Sequence, residues 1–177
     1  GGLLITSEDT AKFAIDIGLA PGVSVTPHGN VRVVGSVLGA EVVDKKNPIA
    51  RGYDAPFAMY SAHGLSFQVS NLVGGDKDLP RADKFQRPTG RGGPHDADLP
   101  EGRAYATPPP LPEAKPWQAL PLNVEQERNN PQVIPAADRP EVIVRWADAN
   151  DLLISGLLEH GETMAQRAAV VQAHYGR

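Results

Sequence analysis

Apolar positions in this 177-residue chain come in short runs separated by turn-forming residues. Residues 3–6, Leu-Leu-Ile-Thr, form a continuous apolar run, the pattern of a strand covered on both faces. Ser7 follows as an expected helix N-cap, with Glu8 and Asp9 in the first turn, where the helix dipole favours negative charge. Ala11, Ala14 and Ile15 give a helical stripe, and Gly18 is placed to stop the helix. Residues 19–30, broken by Pro21, Gly22 and Pro27, read as a loop. The valine-rich stretch 31–43, interrupted by Gly35 and Gly39, predicts one bent strand or two short ones. Residues 47–52 predict a single helical turn with Asn47 as cap, Pro48 in the first position and Gly52 as stop. Two short strands follow at 57–60 and 65–69, with His63 and Gly64 as a hairpin turn between them.

The pattern then lapses. Residues 72–140 hold 13 of the 17 prolines, and Trp117, Leu120, Leu122 and Val124 could anchor the end of this stretch to a partner surface. Pro108, Pro109, Pro110, Leu111 and Pro112 predict polyproline II, and residues 89–94 a flexible hinge. So long a stretch without elements reads as a surface excursion, partly disordered in isolation. Globular sequence resumes with a strand at 141–146, a turn at 148–151, a short apolar helical turn at 152–154 ended by Ser155 and Gly156, a helical or turn segment at 163–166 and a strand at 168–171. Three zones result: 1–71 and 141–177 as the two parts of one α/β domain, and 72–140 as a proline- and glycine-rich excursion. An apolar strand at the start and an unfinished hairpin composition at the end suggest a piece of a larger domain. Marginal stability alone and aggregation through open strand edges are expected of such a piece.

Charge narrows the partners. Net charge is −4, and the 17 Lys and Arg residues are scattered, so neither nucleic acid nor an anionic membrane surface is expected. No apolar run approaches the roughly 20 residues of a membrane-spanning helix. The chain has no cysteine, which removes disulfides, thiolate ligands and a cysteine nucleophile.

Candidate chemistry is sparse. His95 and Asp98 are three apart and loosely echo a metal-ligand pair, but they sit beside Gly92, Gly93 and Pro94, where rigid support is lacking, and a solvated loop histidine is the plainer reading. Asp76 and Asp78 are spaced like the start of a calcium loop whose Gly and closing Glu are missing. His160 and Glu162 could form an acid/base pair or an exposed polar turn. Ser36 and Ser155 are the serines weighed as nucleophiles, and both read better as structural, since no Gly-x-Ser-x-Gly elbow occurs. The strand-to-helix junction at Thr6, Ser7 and Glu8 is where an open α/β sheet usually binds ligands, although a plain helix cap accounts for the same residues.

Four segments carry a family resemblance: residues 1–6 (GGLLIT), 29–38 (GNVRVVGSVL), 48–53 (PIARGY) and 151–156 (DLLISG). Together they resemble a C-terminal region of large bacterial zinc carboxypeptidases of the carboxypeptidase A-like family. The resemblance implies an incomplete flavodoxin-like, class I glutamine-amidotransferase-like open sheet with a long proline-rich irregular insertion. It also implies a parent that hydrolyses peptides and is secreted or periplasmic, with this region as a non-catalytic companion that packs on the peptidase domain. Zinc would belong to that peptidase domain, since its His-x-x-Glu pattern does not occur here, and neither does the amidotransferase cysteine. On this reading the chain contributes no catalytic, cofactor or metal residue of its own. The alternatives are a stand-alone protein-binding module using the proline-rich arm and, last, a serine hydrolase.

Overall fold

A computed structural model describes residues 2–27, 29–74, 111 and 113–175. Within them one open sheet holds seven strands: β1 (Val23–Val25), β2 (Arg32–Val42), β3 (Phe57–Ser61), β4 (Phe67–Val69), β5 (Glu141–Trp146), β6 (Leu153–Glu159) and β7 (Ala168–Gln172). The order is β1-β4-β7-β5-β2-β3, with β6 also on β2, and every ladder is antiparallel. Two short helices, α1 (Asp9–Asp16) and α2 (Val124–Asn129), and three single 3-10 turns complete the described elements. The protein is therefore an α/β protein dominated by an antiparallel sheet. A flavodoxin-like sheet needs parallel strands joined by crossover helices, and the described residues contain neither. The separate stretches 1–71 and 141–177 do build one sheet, because β5, β6 and β7 all enter between or beside the earlier strands.

The long strand β2 organises this sheet. It is one bent strand, of the two alternatives the composition allows, and the bend falls at Gly35, whose φ of 53° accompanies a register shift between Val34 and Val37 against β6. One edge of β2 carries β3. The other carries β5, from Val42 opposite Val144 to Ala40 opposite Trp146, and then β6, from Leu38 opposite Leu153 to Arg32 opposite Glu159. Between β5 and β6 the chain makes an excursion, and Gly39 holds both of its ends: Ala147 N donates to Gly39 O at 2.8 Å, and Gly39 N donates to Leu152 O at 2.7 Å. A Cβ at Gly39 would lie 2.5 Å from Asp151 O, so a side chain there would push the excursion away. The helical turn expected at 152–154 gives way to this arrangement. A strand that continues along β2 satisfies its backbone groups, whereas an isolated helical turn satisfies few.

The core sits over the middle of β2 and β5. Leu38, Ile143, Leu152 and Met164 are fully buried, packed with Ala40, Val144 and Trp146. Trp146 keeps its indole N–H satisfied by donating to Leu65 O at 3.1 Å. The turn at Pro48–Ala50 forms as its composition predicts: Asn47 Oδ1 accepts from Ile49 N at 3.0 Å, and Gly52 takes a φ of 96°. Asn47 also ties this turn to β7, donating from Nδ2 to Gln172 Oε1 at 2.8 Å.

Two further expectations fail for a shared reason. Residues 3–6 are not a strand, and Leu3, Leu4 and Ile5 are 81%, 65% and 82% exposed. Apolarity fits a residue to a buried strand, but a strand forms only where it pairs with another, and none of the seven described strands pairs with this segment. Likewise β3 and β4 are no hairpin: β3 pairs with β2, while β4 lies between β1 and β7, so residues 62–66 cross the sheet.

The expected excursion over 72–140 is described at both ends. Leu72 bridges to Val133, and Ile134 is buried. The Arg167 guanidinium lies 4.5 Å from the Trp117 ring centroid, and Asn71 Nδ2 donates to Leu120 O at 2.8 Å. The anchors Trp117 and Leu120 thus rest on the chain's own body. Helix α2 carries an unforeseen capping box between Asn123 and Gln126. The residues from 75 to 110, with the 89–94 hinge, Asp76, Asp78 and most of the polyproline segment, lie outside the described residues.

Candidate functional site

Helix α1 is short and presents alanines to the sheet: Ala11 and Ala14 are its buried residues. Small side chains let the helix lie close at those points, but they fill little volume. Beneath them a cavity of about 240 Å³ opens toward solvent, walled on the sheet side by residues of β3, β4 and β7, among them Met59, Phe67 and Val170. Thr6, Ser7 and Glu8 line it at the head of the helix. The strand-to-helix junction weighed from sequence is therefore at a cavity, although no strand leads into it.

Helix α1 starts in an unexpected way. Its N-cap is Glu8, not Ser7, and no side chain caps the first turn. Ser7 and Thr10 instead exchange bonds: Ser7 N donates to Thr10 Oγ1 at 3.0 Å, and Thr10 Oγ1 donates to Ser7 O at 2.6 Å. Glu8 adopts φ 50° and ψ −124°, a backbone conformation that non-glycine residues avoid at a cost of about 1–3 kcal/mol. Its carboxylate shows what offsets that cost. Oε1 accepts from Ala62 N at 3.1 Å and from Ser61 Oγ at 3.4 Å, and Oε2 lies 3.7 Å from His63 Nδ1. Ser61 is buried and also accepts from Gly64 N at 2.9 Å. Glu8 is thus pinned at the cavity mouth by the end of β3, and His63, expected to be only a turn residue, faces it. The end of the helix is conventional: Gly18, at φ 80°, donates to Ile15 O, and Leu19 N donates to Ala14 O, a Schellman stop.

In the first turn of α1, one ion pair forms. Lys12 Nζ donates to Asp9 Oδ1 at 3.0 Å, and this hydrogen bond, with the lysine's charge, holds the Asp9 carboxyl below the usual carboxylate range.

The other sequence candidates lie apart from this cavity. Ser36 is fully buried in β2 and donates from Oγ to Leu157 O at 2.7 Å, which is structural work. Ser155 lies exposed in β6, where it pairs opposite Val37. His160 takes a left-handed conformation, with Nδ1 3.7 Å from Glu162 Oε1, both side chains being at least half exposed. His95 and Asp98 lie outside the described residues. Among the described residues no three His, Asp or Glu side chains converge as a metal would require.

The Glu8–Ser61 pair was missed from sequence because its members are 53 residues apart and belong to no motif. The only local signal was Glu8 itself, which a first-turn position on α1 already explained. Comparison with protein-family models, with curated proteins and with solved structures finds no match to this chain.

Proposed function

We propose that the chain is part of a non-catalytic accessory domain of a zinc carboxypeptidase-like peptidase, and that it packs against the peptidase domain. The four phrase-like segments of the family resemblance motivate this reading. One observation carries it further: Leu3, Leu4 and Ile5 stand exposed in succession, with Phe13 and Ile17 of the adjoining α1 also more than half exposed. Apolar surface of that kind is what a companion domain buries against a neighbour. Zinc belongs to the partner domain on this reading. The finer fold assignment, an amidotransferase-like module, rests on the segments alone and would need parallel strands from residues other than those described. Among the described residues no helix is long and apolar enough to cross a membrane.

Joining the chain to a peptidase domain of that family tests the proposal. Hydrogen exchange at residues 3–5 should slow, and the peptidase should melt at a higher temperature. Replacing Leu3, Leu4 and Ile5 together with Ser should abolish both effects. Stoichiometric zinc on the isolated chain, with release of C-terminal amino acids from a peptide, would overturn it.

A second reading, a stand-alone protein-binding module using the proline-rich arm, draws on a separate contact. Leu111 N donates to Asn150 Oδ1, and Asn150 Nδ2 donates to Leu111 O, both at 3.0 Å, so the arm's end is held in an orientation set by the body. Deleting residues 104–116 should then abolish partner capture, and unchanged capture would argue against it.

A further inference from the structure

We propose that the cavity under α1 binds a small apolar amine, with its ammonium group on the Glu8 carboxylate. This goes beyond the accessory-domain reading and does not depend on it. The cavity is a hollow that opens to solvent, so a ring seated in it covers the apolar wall with one face and keeps the other toward water. At about 240 Å³ it has room for one ring and a short substituent.

The walls select the body of the ligand. Ala11, Ala14, Met59, Phe67 and Val170 offer no hydrogen bonds from their side chains, so an apolar ring gains by leaving water there. The mouth selects the head group. Glu8 is the one charged residue lining the cavity among the described residues. Its Oε1 is occupied by two neutral donors, Ala62 N and Ser61 Oγ, which fix the carboxylate without neutralising it. Among the described residues, the one ion-pair partner of Oε2 is His63 Nδ1, beyond hydrogen-bonding distance at 3.7 Å and on a side chain that is largely exposed. The nearest other cation on the helix, Lys12, is paired with Asp9. An ammonium can therefore take the open carboxylate oxygen, while a carboxylate ligand meets repulsion. The strained Glu8 backbone fits this assignment, because strain of that kind persists where the surroundings hold a side chain in one place.

Titration of the full chain with benzylamine, benzyl alcohol and benzoate, followed by methyl shifts of Ala11, Ala14 and Met59, tests the site. Benzylamine should saturate these shifts, benzyl alcohol should bind roughly fivefold more weakly, the order of one partly exposed ion pair, and benzoate should not saturate. Glu8→Gln should bring benzylamine and benzyl alcohol to the same affinity. Ala14→Leu fills the cavity and should remove both, with the amide spectrum of β2 and β5 unchanged. If Ala14→Leu does not fold, the Glu8→Gln comparison and the location of the shifts decide. Benzoate binding as tightly as benzylamine, saturation without shifts at these methyls, or no saturation by either benzylamine or benzyl alcohol overturns the proposal.

Discussion

Around the middle of β2, the side chains of Leu38, Ile143, Leu152 and Met164 give up all their surface to one another; at the head of α1, Leu3 and Ile5 leave four-fifths of theirs in water. The residue types are similar and the outcomes opposite. At the first place the backbone has hydrogen-bonding edges on both sides, and side chains from β2, β5 and the segments after β5 and β6 converge. At the second, an apolar segment pairs with none of the described strands, and the helix beside it covers the sheet with alanines. Burial here follows the availability of backbone partners more closely than it follows hydrophobicity.

The largest effect should separate these regions directly. Leu38→Ala should cost about 3–5 kcal/mol, since it empties a fully enclosed site. Leu4→Ala should change stability by less than about 0.5 kcal/mol, because the side chain is already mostly solvated. Urea unfolding of the two variants measures both, and similar losses would erase the distinction between the regions.

A pair of glycines sharpens the comparison. Gly156 in β6 and Gly18 after α1 both have positive φ, 104° and 80°. A Cβ at Gly156 would lie 2.6 Å from Ser36 Oγ, whereas nothing lies within 4 Å of one at Gly18. Gly156→Ala therefore combines backbone strain with a collision and should cost about 2–4 kcal/mol. Gly18→Ala meets only the strain and should cost about 1 kcal/mol. Midpoints in denaturant give the difference, and a Gly18 loss equal to that at Gly156 would show that the α1 end is packed more tightly than its open surroundings suggest.

What could be read from sequence divides along the same line. The bend of β2 at Gly35, the Asn47–Gly52 turn, and strands β5 and β7 were legible, since each depends on signals within a few residues: a glycine in a valine run, a cap followed by proline, a block of β-branched residues. The start of β6 reads locally as a helical turn, because Leu152, Leu153 and Ile154 suit either state and only the distant edge of β2 decides between them. The run at residues 3–6 reads as a strand for the converse reason: its local signal is strong, and nothing nearby in the chain shows that no described strand pairs with it. At the cavity, Thr6, Ser7 and Glu8 could be proposed from the junction they occupy, but Ser61 and His63 could not. Ser61 meets Glu8 from the end of β3, and Ala62 and His63 meet it where the chain leaves β3 to cross the sheet, a path that a local hairpin reading excludes.

Asn47 offers a smaller test within the packed region. Asn47→Ala removes both the cap on Ile49 N and the bond to Gln172, and should cost about 1–2 kcal/mol. The counterpart at α1, Thr10→Ala, removes an exposed reciprocal pair with Ser7 and should cost about 0.5 kcal/mol. Thermal unfolding should rank them in that order, and a reversal would place more of the stability in the helix start than its exposure implies.

The smallest effect concerns charge and belongs to α1 alone. Asp9 has its carboxyl held low by the hydrogen bond from Lys12 and by that lysine's charge. A group whose folded-state pKa is depressed contributes stability above its unfolded value, near 3.9, and loses it as pH falls through the folded value. Acidification below about pH 4 should therefore loosen the first turn of α1, and Lys12→Met should remove that dependence while leaving neutral-pH stability almost unchanged, since the pair is largely exposed. Amide exchange of Ala11 and Lys12 across that range is the measurement. The sheet supplies the control: in β2 the amides of Leu38 and Ala40, buried and distant from this pair, should show no change attributable to Lys12. If Lys12→Met altered their exchange as well, α1 and the centre of the sheet would open as one cooperative unit, and the division between a packed region and a loosely attached helix would fail.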